Sequence, residues 1–137
     1  MIKEMMAIFV ALSFQLAKAE NLNYSSVSEA NSGRIGETLI RYIKRFGDEC
    51  LHIEIISTDR KWTVLSSLHL CSFEGKPFST GFAYVGFEDF TFKKDGISFK
   101  LSTTPLEPVG EQIRECLISV SNNQLGKLQC SDVRNPE

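Results

Sequence analysis

Apolar and polar residues alternate through most of this chain, and this two-residue period is typical of β-strands that cover a core with one face. The alternation is clearest at Leu51, Ile53 and Ile55, and it resumes over 62–73 and on either side of the hairpin signal Asp95-Gly96. Because the polar breaks between these segments are short, neighbouring strands should be antiparallel. The pattern predicts an antiparallel sheet of about six strands, open or curled into a half-barrel.

One segment ahead of these strands has a helical period. Basic residues precede Gly47, as they do near many helix C-termini. The apolar residues of this segment are spaced three or four positions apart: Ile35, Leu39, Tyr42, Ile43 and Phe46. The sequence therefore predicts an α+β domain in which an N-terminal amphipathic helix over 33–46 packs on the sheet or half-barrel, with disulfides as staples.

The first nineteen residues have the pattern of a secretory signal peptide. Lys3 precedes an apolar run over 5–16, and Ala17-Lys18-Ala19 supplies the small residues of a cleavage site. About twelve apolar residues are too few to span ~30 Å of hydrocarbon as a helix. We therefore expect cleavage after Ala19, a single exported domain over 20–137, and a periplasmic or secreted location without stable membrane insertion.

The length and the net charge of the chain limit the classes of function that it can have. A chain of 137 residues has room for one domain, and its net charge is −2. The predicted leader carries Lys3, Lys18 and Glu4, so the remaining chain would have a net charge of −3. A mildly acidic domain lacks the basic surface of nucleic-acid binders, and we expect no nucleic-acid partner.

Four cysteines in an exported chain predict two disulfides. If the first two strands close around Arg60-Lys61, Cys50 lies opposite Cys71. If a three-residue loop over Asn122–Gln124 joins the last two strands, Cys116 lies opposite Cys130. Directly opposed residues have the short separation that a disulfide requires, so the registers predict the pairs Cys50–Cys71 and Cys116–Cys130.

The first of these registers also makes His52 and His69 cross-strand neighbours, with Glu54 on the same face. Two imidazoles and a carboxylate could hold Zn²⁺ or Cu²⁺, or respond to low pH. The alternative is a polar strip on the solvent side of the sheet, which is common on half-solvated sheets. We favour the polar strip and expect no bound metal or cofactor.

Catalytic motifs are not evident in the sequence. It has no nucleophile elbow, no phosphate-binding glycine loop and no His-x-x-x-His helix. We therefore expect a binding protein and no enzymatic activity.

Two segments are candidates for contact with a partner. The Phe-rich region over 73–99 includes Phe82 and Tyr84, which either lie in the core or form an exposed patch. The connection over 103–110 is predicted to be the longest loop; it carries Leu106, Glu107 and Val109, and two prolines restrict its backbone. These apolar residues either close one end of the core or form a stiff surface for the basic cleft of an enzyme.

Export, small size and disulfides together favour a protein that binds another protein. Inhibitors of cell-wall hydrolases and immunity proteins against periplasmic toxins have this general build, and we expect a partner of that kind, an enzyme or a toxin. An accessory or structural subunit of a cell-envelope assembly and a carrier of a small ligand remain alternatives. The oligomeric state is left open by the sequence.

Overall fold

The computed structural model describes residues 24–59 and 61–134, and in this part the chain is almost entirely β-structure. A short 3-10 turn at Tyr24–Ser26 precedes the strands, and no α-helix occurs in these residues. None of the helical segments found there has the length and apolar character needed to cross a membrane. The predicted signal peptide over 1–19 lies outside the described residues.

The strands form two antiparallel meanders of four strands each, joined by a small hairpin. The first sheet has the order β1 (Val27–Ile35), β2 (Thr38–Arg45), β3 (Leu51–Ile56) and β4 (Val64–Leu70). The small hairpin consists of β5 (Ser72–Phe73) and β6 (Lys76–Pro77). The second sheet contains, in sequence order, β7 (Phe82–Lys93), β8 (Gly96–Pro105), β9 (Gln112–Ser121) and β10 (Gln124–Cys130).

The prediction of an amphipathic helix over 33–46, and with it the α+β class, is wrong. These residues form the end of β1 and all of β2, and Gly36-Glu37 is the two-residue turn between the paired residues Ile35 and Thr38. Gly36 has a φ of +61°. A two-residue hairpin turn needs a positive φ at its first residue in the type II′ form, and glycine adopts that conformation without a steric penalty.

Burial shows why the helical spacing was misleading. Ile40 and Tyr42 alternate inward to the core, and Ile40 does not belong to the helical stripe. Ile43 is also buried, but on the opposite face of β2, where it pairs with His52. Phe46, the last residue of the helical stripe, is largely exposed. Apolar residues on both faces of one strand therefore imitated the spacing of a helix.

Aromatic rings fill the space between the two sheets. Tyr42 of the first sheet stacks on Phe90 of the second, with ring centroids 3.7 Å apart. Phe87 lies between two further rings, 5.6 Å from Phe78 and 5.9 Å from Phe99. Such offset and edge-to-face contacts stabilise a core beyond the burial of apolar area. Most of the Phe-rich region is therefore core.

The two sheets also meet along their edges, which fixes which strand ends lie together. Ser66 Oγ on β4 accepts a 3.3 Å hydrogen bond from the amide of Leu125 on β10. Near the β1–β2 turn, Thr38 Oγ1 donates to Asn123 Oδ1 at 3.1 Å. One end of the molecule, here called the Gly36 end, therefore carries the turns at 36–37, 57–63, 94–95 and 122–123. The other, called the Cys50 end, carries the loops at 46–50 and 106–111.

The turn between β9 and β10 differs from the prediction. It has two residues, Asn122 and Asn123, with φ of +51° and +58°, whereas a three-residue loop was predicted. Two positive φ values are typical of a type I′ turn, which asparagine tolerates. A register shift between Leu125 and Leu128 gives β10 one extra residue relative to β9, which offsets the shorter turn. Cys116 and Cys130 consequently lie opposite each other all the same.

Candidate functional site

Both disulfides join residues that face each other across a hairpin. Cys50–Cys71 closes the open end of β3 and β4, with Cα atoms 4.4 Å apart, and Cys116–Cys130 joins β9 to β10, with Cα atoms 4.0 Å apart. These are the two pairs that the registers predict. No free cysteine remains in the described part of the chain. Two structural disulfides are typical of an oxidising compartment outside the cytoplasm.

The predicted interaction loop is shorter than its sequence suggests. Thr103 and Pro105 are buried and belong to β8, so the loop begins at Leu106 and ends at Glu111. Leu106 and Val109 do not close the core: 66% of the surface of Leu106 and 58% of that of Val109 are exposed. Two branched apolar side chains thus point into solvent from one short loop.

Hydrogen bonds hold this loop to the sheet. The amide of Val109 donates to the carbonyl oxygen of Glu107 at 2.8 Å, which makes a tight turn at the tip. Ser102 on β8 donates from Oγ to Glu111 Oε2 at 2.6 Å, which fixes the end of the loop. Gly110 has a φ of +82°, a conformation that glycine adopts at little cost. The loop is therefore fixed at its tip and at its end.

The two aromatic candidates have different environments. Tyr84 is 51% exposed and pairs with Thr104, two residues before the loop begins. Phe82 is half-buried and lies 6.1 Å from the Phe78 ring. A register shift between Phe82 and Tyr84 breaks the alternation that would have put both on one face. Tyr84 is therefore an exposed aromatic residue on the strand next to β8, whereas Phe82 packs against the core.

Glu107 adds an exposed negative charge to this end of the molecule. Arg114 lies over the Phe73 ring and 3.6 Å from Glu74, and Arg134 lies 3.4 Å from Glu115. These two arginines are each matched by a carboxylate. Glu107 is exposed, and its side chain has no ion pair or hydrogen bond within the described residues. The exposed loop therefore carries an unmatched negative charge.

The predicted histidine pair exists, but its carboxylate is engaged elsewhere. His52 and His69 are cross-strand partners with ring centroids 4.5 Å apart. Glu54 accepts a 2.7 Å hydrogen bond from Arg41 Nε and so forms an ion pair instead of facing the imidazoles. No group of three or more His, Cys, Asp or Glu side chains within residues 24–59 and 61–134 is arranged to hold a metal ion.

A different carboxylate contacts His52. Asp48 Oδ2 lies 2.8 Å from His52 Nε2, and Asp48 Oδ1 accepts a 2.9 Å hydrogen bond from the amide of Cys50. Burial raises the pKa of Asp48, but the hydrogen bonds from His52 and the Cys50 amide together hold it below its ordinary value. The arrangement fixes the loop at 46–50 beside the Cys50–Cys71 disulfide.

One exposed residue was not among the sequence candidates. Trp62 was placed in a strand by its alternation with its neighbours, but it precedes β4 in the loop at 57–63 and is 56% exposed. Its φ is +50°, which the alternation of side chains cannot predict. The available signal was composition, since Trp62 is the single tryptophan of the chain.

Comparison with protein-family models, with curated proteins and with solved structures gave no match for this chain. Its function is therefore inferred from the geometry of its own residues.

Proposed function

We propose that this protein is an exported, non-enzymatic binding protein that acts on another protein, as an inhibitor or immunity protein of a cell-wall hydrolase or periplasmic toxin. The observation that carries the proposal is the braced loop at 106–111, which exposes Leu106 and Val109. Exposed apolar side chains on an otherwise well-packed domain are a common mark of interaction surfaces.

The loop has the energetic properties of a binding element. Fully burying a leucine or valine side chain stabilises a complex by about 1.5–3 kcal/mol. Pro105 and Pro108 restrict the backbone on both sides of Leu106, and the Ser102–Glu111 hydrogen bond holds the end of the loop. A loop that is already ordered loses little conformational entropy on binding, so more of the burial energy is retained as affinity.

Charge favours an enzyme cleft with a basic lining as the partner surface. Glu107 lies between the two exposed apolar residues in the sequence and forms no ion pair among the described residues. A carboxylate beside an apolar contact would be matched by a cationic group at the rim of the cleft. Clefts of that kind are found in enzymes that act on anionic polymers, a class that includes toxins directed at nucleic acids.

The two disulfides support a periplasmic or secreted location, where the proposed partner enzymes act. A carrier of small ligands is less well supported, because aromatic side chains occupy the space between the sheets. The Phe90 ring lies 3.7 Å from that of Tyr42 and 5.4 Å from that of Phe99.

The test is site-specific photo-crosslinking of the exported protein. A photoreactive residue at position 106 should capture a defined partner from the periplasm or from secreted effectors, whereas the same group at the exposed Lys127 should not. Identification of a hydrolase or toxin, and its inhibition by the purified protein, would support the proposal. Equal capture from both positions, or capture of an envelope scaffold protein only, would contradict it and in the second case favour an assembly subunit.

A further inference from the structure

The side chain of Arg114 on β9 is largely buried, yet its guanidinium makes no hydrogen bond within the described residues. Only 16% of this side chain is exposed, and its Cζ atom lies 4.9 Å from the centre of the Phe73 ring. Its ionic neighbour in the described part of the chain is Glu74, whose Oε1 atom lies 3.6 Å from Nη2. That separation balances the charge but is longer than a hydrogen bond. The N–H groups of the guanidinium are therefore available to a ligand.

The guanidinium lines a surface cleft of about 380 Å³, a volume within the range of small-molecule sites. One wall is the small hairpin, which contributes Phe73 and Glu74. The other wall is the segment over 131–133, whose start is fixed by a 2.8 Å hydrogen bond from the amide of Ser131 to the carbonyl oxygen of Glu115. Among the described residues the lining includes none from the first sheet. The cleft therefore lies beside the aromatic core and not between the two sheets.

Charges of both signs line this cleft. Arg114 supplies one positive charge, and Glu74 and Asp132 supply two negative ones. A ligand that is only anionic would be attracted by the guanidinium and repelled by the two carboxylates, and a ligand that is only cationic would be repelled by the guanidinium. A ligand that carries both charges would be matched by both kinds of group. The lining therefore favours a zwitterion.

We propose that the cleft binds a free α-amino acid with an apolar side chain. Standard bond lengths place the ammonium nitrogen and the carboxylate oxygens of such a molecule about 3 Å apart. The separation between Arg114 and Glu74, 3.6 Å, is similar. The ligand can therefore place its carboxylate on the guanidinium, which suits two parallel hydrogen bonds, and its ammonium group on Glu74. Each charge then lies beside an opposite one.

The apolar part of the lining favours a ligand with an aliphatic or aromatic side chain. Phe73 and Val133 are both half-buried and line the cleft beside the charged groups. A ligand side chain that packs on them removes apolar surface from water, while the charged groups fix its orientation.

A peptide fits the charges less well than a free amino acid does. Each additional residue moves the terminal ammonium and carboxylate groups apart by about 3.5 Å, so the two ends of a peptide do not match the Arg114–Glu74 pair. The cleft shares no lining residue with the loop at 106–111. The inference therefore does not depend on the proposed protein partner.

The experiment is calorimetric titration of the purified protein with leucine and with phenylalanine. At least one of them should bind saturably. The amino acid that binds is then compared with two analogues that each lack one charge: isocaproate and isoamylamine for leucine, hydrocinnamate and phenethylamine for phenylalanine. Each analogue, and the dipeptide of the same amino acid, should bind at least tenfold more weakly. No binding of either amino acid, or equal binding of the carboxylate analogue, would overturn the inference.

Variants then locate the binding site. Arg114→Gln should weaken binding of the amino acid at least tenfold. Arg134→Gln is the matched control and should bind as wild type, because Arg134 is an exposed arginine that pairs with Glu115 outside the cleft. Equal losses in these two variants would show a general effect of charge and contradict the proposal.

Glu74→Gln keeps the test decisive where Arg114→Gln lowers the melting temperature, because Glu74 lies exposed in the turn of the small hairpin. This variant should weaken binding of the amino acid severalfold. It should not weaken binding of the carboxylate analogue, which has no ammonium group for Glu74 to contact. Unchanged binding of the amino acid, or an equal loss for both ligands, would contradict the assigned role of Glu74 and overturn the proposal.

Discussion

Ser102 and Glu111 are joined by a 2.6 Å hydrogen bond in which a buried hydroxyl on β8 donates to an exposed loop carboxylate. The bond links the interaction loop to the rigid centre of the second sheet. A loop with such an attachment opens less often than one held by its ends alone. The order of the loop therefore depends on one residue that itself lies outside the loop.

Ser102→Ala should loosen the loop without unfolding the domain. Loss of this hydrogen bond should cost about 1–2 kcal/mol locally, because its acceptor is charged and can be hydrated once it is released. Amide hydrogen exchange over 107–111 should speed up roughly tenfold, while the strands keep their protection. Exchange measured by mass spectrometry checks this, and equal rates in the variant and wild type would show that the bond does not order the loop.

The Tyr42–Glu29 contact predicts a loss of stability at alkaline pH. Burial, together with the 2.7 Å hydrogen bond from the Tyr42 hydroxyl to Glu29 Oε2, raises the pKa of Tyr42 to about 12 from 10.0. Above the lower value the unfolded state loses its proton while the native state keeps it. Stability should therefore be fully present below pH 10 and fall by about 2 kcal/mol as the pH approaches 12.

Tyr42→Phe separates the contribution of the Tyr42 hydroxyl from every other effect of alkaline pH on stability. The variant keeps the ring that stacks on Phe90 and loses about 1 kcal/mol at neutral pH with its hydroxyl. Urea unfolding at about pH 8 and about pH 11 should show a smaller alkaline loss for the variant than for wild type. Parallel pH profiles would mean that the Tyr42 hydroxyl is not held protonated by the fold.

Gly33 is needed where the edges of the two sheets approach each other. A Cβ atom at this position would lie 2.6 Å from Cδ2 of the Phe92 ring. Gly33→Ala should therefore destabilise the protein by about 1–3 kcal/mol through overpacking.

The double variant with Phe92→Leu should recover at least half of that loss, and Ser32→Ala, at an exposed neighbour, should change stability by less than about 0.5 kcal/mol. Chemical denaturation of wild type, the two single variants Gly33→Ala and Phe92→Leu, their combination and the control measures this. If Gly33→Ala costs as much in the Phe92→Leu background as in wild type, the ring contact is not the cause.

The two disulfides should differ in their accessibility to a reductant. Cys71 is exposed and Cys50 is half-buried, whereas Cys116 is almost fully buried. Thiol–disulfide exchange needs direct access to a sulfur atom, so Cys50–Cys71 should be reduced first under native conditions. Differential alkylation followed by peptide mapping would detect this order, and simultaneous reduction of both bonds would show that local opening, and not exposure, controls the reaction.

The hairpin registers could be predicted because strand alternation and turn position are local. Leu51 pairs with Leu70 and His52 with His69, as the apolar pattern requires. The helix prediction failed because β2 has apolar residues on both faces: Tyr42 faces the core and Ile43 is buried on the outer face. Together these residues have spacings of three and four positions, as in a helix. Which face a strand buries, and against which sheet, depends on contacts distant in sequence.

The candidate interaction site could be predicted only in part from the sequence. Pro105 and the apolar residues around Glu107 indicated where the loop lies. They did not indicate that β8 continues through Pro105, which shortens the loop. Tyr84 and Phe82 could not be separated, because a bulge has no simple sequence signature. Trp62 is exposed and has a positive φ, and neither property is indicated by the side-chain pattern.

The most direct test of the proposed interaction is the affinity of the captured partner for the double variant Leu106→Ala, Glu107→Ala. We expect a loss of at least tenfold, about 1.4 kcal/mol, because an exposed apolar contact and the unmatched carboxylate of the loop are removed together. Lys127→Ala is the control and should bind as wild type, and all three proteins should have similar melting temperatures. Unchanged affinity in the double variant, or a loss that only accompanies unfolding, would contradict the role of this loop.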